Sequence, residues 1–104
     1  MTATLYDLAN LSARIERHLE QHFDGRPEIR QVLALAEEAG EAVGAARRYL
    51  GMARRTGTLD ALRGELADVV ITAFVTANTF TIDLPAAIED KVSEIFARGW
   101  KDPR

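Results

Sequence analysis

The chain has 104 residues, of which 47% are hydrophobic and 28% charged; this is the composition of one globular domain and argues against a disordered one. A net charge of −3 gives no electrostatic basis for nonspecific nucleic-acid binding, and the absence of cysteine excludes disulfides and thiolate metal sites. The longest uncharged run, Val69 to Ile82, is too short and too rich in threonine to span a bilayer, and no basic stretch followed by an apolar run opens the chain, so a cytoplasmic protein with no membrane partner is expected.

Breakers at Gly25 with Pro27, at Gly51 to Gly57, and at Asp83 with Pro85 cut the chain into four segments, each long enough to be a helix. No segment shows sustained strand-like alternation. The expected fold class is therefore all-α, a four-helix bundle in one domain.

The first segment, about Leu5 to His22, places Leu5, Leu8, Leu11 (or Ser12), Ile15 and Leu19 on one stripe. His18 and His22 are four apart, a spacing that suits either a metal pair or a polar edge in water.

The second segment runs from about Pro27 to Leu50, with proline well placed near a helix start because its missing N–H has no intrahelical partner there anyway. Val32, Leu35, Ala39, Val43, Ala46 and Leu50 form an apolar stripe, the expected core face. Glu37, Glu38 and Glu41 lie on the other side. None has a basic residue three or four positions away, where helical neighbours meet. That face is otherwise small: Ala34, Gly44 and Ala45. Glycine inside a helix costs roughly 1 kcal/mol against alanine, so Gly40 and Gly44 suggest close approach by another backbone or a ligand. Arg30 and Arg48 stand about two turns from the acids and are candidates to meet anionic groups. The link, Gly51 to Gly57, carries Arg54 and Arg55 and reads as a solubilising or a phosphate-contacting loop.

The third segment starts near Thr58, a suitable N-cap, and runs to about Phe80. It carries no charge after Asp68 and is the expected central helix. Glu65 and Asp68 share a side with Ala61, Thr72, Thr76 and Thr79, again without a local counter-charge. A buried carboxylate without a partner is costly, so these acids need one from elsewhere.

The fourth segment, about Leu84 to Trp100, has Asp83 as candidate cap and Pro85 in its first turn. Ala87 (or Ile88), Val92, Ile95 and Phe96 form its apolar side. Lys91 and Arg98 flank Glu94 and either pair with it or serve a site. Trp100 is expected to pack the C-terminal end, with Lys101 to Arg104 as a tail.

Carboxylates from two helices, without Cys or His, make an all-oxygen site, which selects a hard cation, Mg²⁺ or Mn²⁺. Such a cation shares its sphere with substrate phosphates and orients an attacking water. Glu37, beside Glu38 but turned by about 100°, suits a base or a supporting role.

Glu37-Glu38-Ala39-Gly40-Glu41 followed by Glu65-Leu66-Ala67-Asp68 resembles the EExxE…ExxD motif of the MazG-like, all-α nucleoside triphosphate pyrophosphohydrolases. Arg63 to Val70 reads like that family's second motif helix. Ile82-Asp83-Leu84 leading to Lys91 and Arg98 resembles its last helix, so the likeness spans Val32 to Trp100. The resemblance implies a helical bundle that assembles as a homo-oligomer, dimer or tetramer. It further implies Mg²⁺-dependent cleavage of a nucleoside triphosphate between the α- and β-phosphates, giving a monophosphate and pyrophosphate. Carried over by position, Glu38, Glu41, Glu65 and Asp68 would be metal ligands. Glu37 would support the nucleophilic water together with Glu38, and Asn78, Lys91 and Arg98 would be nucleotide contacts. Many relatives have an asparagine four residues after the last helix's lysine; here that residue is Ile95, and the sequence names no preferred nucleotide. Two other readings of the acids stand beside the hydrolase: a nucleotide- or metal-binding helical interaction module without turnover, and a helical oligomerisation domain with solvated acids.

Overall fold

Four helices follow one another: α1 (Leu5–His22), α2 (Pro27–Tyr49), α3 (Leu59–Thr79) and α4 (Leu84–Arg98). The structure is a computed structural model that describes residues 3–23 and 25–99, so the expectations for Trp100 and the tail lie outside the described residues. No strand occurs among the described residues, and the all-α, four-helix expectation holds.

Local chemistry sets each helix start. Thr4 Oγ1 accepts from the Asp7 N–H at 3.1 Å while Asp7 Oδ2 accepts from the Thr4 N–H at 3.0 Å, a capping box on α1. Pro27 sits in the first turn of α2. Thr58 caps α3 through the Ala61 N–H, and Asp83 caps α4 through the Ala86 N–H, each at 3.1 Å. The ends of α2 and α3 are closed by the same pair of bonds. Met52 N–H donates to the Arg47 carbonyl at 2.8 Å and Ile82 N–H to the Ala77 carbonyl at 2.8 Å, with the intervening residue left-handed in both turns. That residue is Gly51 (φ 74°) after α2 but Thr81 (φ 58°) after α3.

Helix α3 touches all three of the others and packs most extensively on α2. The core is small and centres on Phe74, Val75 and Ala77 of α3 with Ala42 and Ala45 of α2. On α1 the inward position is Ser12 rather than Leu11; its hydroxyl donates to the Ala9 carbonyl at 2.7 Å. Helix α4 leaves α3 at a bend of 113° and packs on α1 and α3; of its expected apolar side Ala87, Ile88 and Ile95 are half-buried, while Val92 and Phe96 are exposed, Phe96 by 83%. No single helix among the described residues is long and apolar enough to cross a membrane.

The face of α2 that meets α3 is a correction to the sequence expectation. Val32, Val43 and Leu50, expected in the core, are 52%, 60% and 66% exposed, whereas Ala45 is 1% exposed. The small residues Ala42 and Ala45 let the two backbones close, and the half-buried Ala34, Glu38 and Arg48 share that inner side. Periodicity reveals both stripes on α2 but does not say which one the chain's own helices cover.

Candidate metal centre

The two acidic motifs face each other across the α2–α3 hairpin. One carboxylate oxygen from each of Glu38, Glu65 and Asp68 lies within 4.8 Å of the other two. Glu38 and Glu65 are half-buried and Asp68 is exposed. Oε2 of Glu38 and Oε2 of Glu65 are both buried with no hydrogen-bond partner. No ion pair among the described residues involves Glu37, Glu38, Glu41, Glu65 or Asp68.

Burial pushes the Glu38 carboxyl above the usual carboxylate range, and the negative charges of Glu41, Asp68 and Glu65 push it further. Burial likewise raises Glu65, helped by Glu41 and Asp68 and opposed by the positive charge of Arg48. Glu41 thus acts on both half-buried acids although it lies outside the tightest triad.

These residues fit a hard divalent cation. Their donors are all oxygens, two of them are buried and unpartnered, and the surrounding charge disfavours ionisation unless a positive charge compensates it. Glu38, Glu65 and Asp68 would hold the ion, with Glu41 beside them.

The flanking residues sort into those the fold gathers and those it does not. Arg48 is gathered: its guanidinium lies over Gly44, where an added β-carbon would come within 3.3 Å of Nη1, and its carbonyl accepts from the Gly57 N–H at 3.1 Å. The close approach of another backbone expected at Gly40 and Gly44 is not found among the described residues. Gly44 makes room for Arg48, while a β-carbon at Gly40 would meet nothing within 4 Å in the chain. Arg30, Glu37 and Glu38 line one cavity of about 620 Å³ between α1, α2 and α3. Asn78 is not gathered: it donates to Glu16 Oε2 at 2.8 Å, about 15 Å along α3 from Asp68. Lys91 and Arg98 both pair with Glu94, at 3.4 and 3.1 Å, the ion-pair alternative for that helix. His22 Nδ1–H donates to the His18 carbonyl at 2.8 Å, and no third metal ligand joins the two rings among the described residues.

The cavity also includes residues with no assigned role in the sequence reading. Gln31, 3% exposed, lines it together with Ile15 and Leu19 of α1, Phe23 at its C-cap and Thr72 of α3. The available signal was the spacing Gln31, Ala34, Glu38, which puts a polar amide on the same inner face as the acid.

No protein-family model matches this chain, and no curated protein matches it.

Proposed function

We propose that the protein is a Mg²⁺-dependent nucleoside triphosphate pyrophosphohydrolase of the cytoplasmic nucleotide pool, cleaving between the α- and β-phosphates to a monophosphate and pyrophosphate. The observation that carries the reading is the convergence of Glu38, Glu65 and Asp68 within 4.8 Å, two of them with a buried, unpartnered oxygen. The resemblance of both acidic motifs to the MazG-like family supports it from the sequence side.

When bound, Mg²⁺ (or Mn²⁺) neutralises phosphate charge and withdraws electrons from phosphorus. The chain's own residues do the rest. Glu38, Glu41, Glu65 and Asp68 set where the triphosphate lies. Glu37, exposed beside Glu38 at the cavity rim, accepts the proton of the attacking water, and Glu38 orients that water. Water adds across the α–β anhydride: one phosphorus gains a hydroxyl oxygen as the other keeps the bridging oxygen. Arg48, beside Glu65, meets phosphate charge leaving the acidic cluster.

The working form in this reading is a homo-oligomer. What supports this is a set of exposed large apolar side chains: Val32 and Val43 on α2, Leu50 at its C-cap, and Leu59, Leu66 and Val70 on α3. A second copy of the chain covers it.

The test is pyrophosphate release from a panel of (d)NTPs with Mg²⁺. Glu38→Gln and Asp68→Asn are expected to abolish it. Release that is unchanged in both variants, or absent from the wild type across the panel, overturns the reading.

A further inference from the structure

The cavity beside Glu38 ends in an arginine with nothing to bind. Arg30 Nε and Nη2 are both buried and without a partner. These two nitrogens are on the same edge of the guanidinium, so their N–H bonds run parallel, the arrangement that takes two adjacent acceptors at once. A guanidinium only donates, and a charged donor left unpaired in a buried place is costly. Glu37 and Glu38 line the same cavity but form no ion pair with Arg30. Arg30 and Glu38 are eight positions apart, about 12 Å along α2, enough for a sugar between a phosphate at the acids and a group at Arg30.

The walls decide what that group is. Ile15, Leu19, Leu33, Ile71 and Val75 are apolar and come from three helices. A free phosphate or carboxylate would satisfy Arg30 with two oxygens but turn the rest of its polar surface to hydrocarbon. A flat heteroaromatic ring sets its faces on the walls and its edge on the guanidinium.

Resting on the hydrolase reading for the phosphate end of the site, we infer that Arg30 makes this cavity a base pocket selective for nucleotides whose base carries two adjacent acceptors on one edge. Two base types do so: 6-oxopurines through O6 and N7, and cytosine through O2 and N3. Adenine alternates acceptor and donor around its edge, and in uracil and thymine a ring N–H separates the two carbonyls. Each leaves one Arg30 donor unpaired.

The test measures equilibrium binding of nucleoside monophosphates to the full chain with Mg²⁺ present; a monophosphate has no anhydride to cleave, so turnover does not intervene. GMP or CMP is expected to bind about tenfold more tightly than AMP and UMP. Which of the two leads names the base type. Arg30→Met, which keeps length and apolar character, is expected to bring all four within about twofold while helicity is retained. Arg30→Lys, keeping charge without the fork, is expected to lose most of the preference. AMP or UMP binding as tightly as the leader, a preference that survives Arg30→Met, or no binding of any monophosphate overturns the inference. The two readings fail separately. Selective binding without pyrophosphate release overturns the hydrolase and leaves the pocket. Release from all bases alike, unaffected by Arg30→Met, overturns the pocket and leaves the hydrolase.

Discussion

Glu38 on α2 and Glu65 on α3 each bury Oε2 without a partner and face each other across one helical hairpin. Two unpaired acids brought together from opposite arms store repulsion in the metal-free protein, and that repulsion is the basis for the first two expectations.

Glu38→Gln removes one charge from the cluster at nearly constant shape. The melting temperature of the metal-free protein is expected to rise, the common direction when a destabilised site is neutralised. Mg²⁺ is expected to raise the melting temperature of the wild type and not that of this variant, and pyrophosphate release is expected to fall by at least about a hundredfold in the variant. Thermal melts with and without Mg²⁺ check the first two effects, and a turnover assay the third.

The raised carboxyls of Glu38 and Glu65 fix a sign for the pH dependence. From the ordinary glutamate value of 4.5 upward to their folded values, the folded chain holds protons that the unfolded chain has released. Stability conferred by these groups therefore falls as pH rises through that window. Asp7 has the opposite sign. Hydrogen bonds with Thr4 hold its carboxyl below 3.8, so its contribution is present above that value and lost as pH falls through its folded one. Melts of metal-free protein at a series of pH values are expected to decline above pH 4.5 more steeply in the wild type than in the Glu38→Gln, Glu65→Gln double variant.

Gly57 is held against the last turn of α2. A β-carbon there would lie 2.8 Å from Arg48 Cβ and 3.3 Å from the Tyr49 nitrogen, neither of which yields easily. Gly57→Ala is expected to cost about 1–3 kcal/mol by overpacking, read as a lower denaturation midpoint. It also displaces Arg48, so the KM for nucleotide is expected to rise.

Thr81 occupies the left-handed position that Gly51 fills at the equivalent turn. A β-branched residue there is strained by roughly 1–3 kcal/mol. Thr81→Gly is expected to relieve part of this strain and raise stability, and Gly51→Thr to lower it. Denaturant titrations of the pair read both signs.

Val43 stands at the middle of the uncovered α2 stripe, 60% exposed. Val43→Glu is expected to leave helicity intact and reduce the assembled mass toward that of one chain, measured by analytical ultracentrifugation.

The four helices were legible because their punctuation is chemical. Thr58, Asp83 and the Gly51 turn mark ends that the structure places within a residue or so of where the sequence puts them. The pairing of Glu38 with Glu65 and Asp68 was also legible, since acids without helical neighbours of opposite charge must find a partner elsewhere. The inner face of α2 was not. Its large apolar residues mark one stripe and its alanines another, and side-chain size favours the wrong one. Asn78 was named only through the family resemblance, and ten residues of helix carry it about 15 Å past Asp68, to Glu16. The cavity could not be read from spacing, because its walls come from three separate helices.

The acidic cluster and the cavity are assembled by different lengths of chain. Glu38, Glu41, Glu65 and Asp68 all belong to the α2–α3 hairpin, whereas the cavity also needs Ile15 and Leu19 from α1 and Phe23 at its C-cap. Local unfolding proceeds by contiguous units, so α1 can open while the hairpin stays closed. For the proposed cation site and base pocket, mild denaturant is then expected to abolish base discrimination before cation binding. Amide exchange along α1, followed beside Mg²⁺ binding, reports the order in which the two are lost.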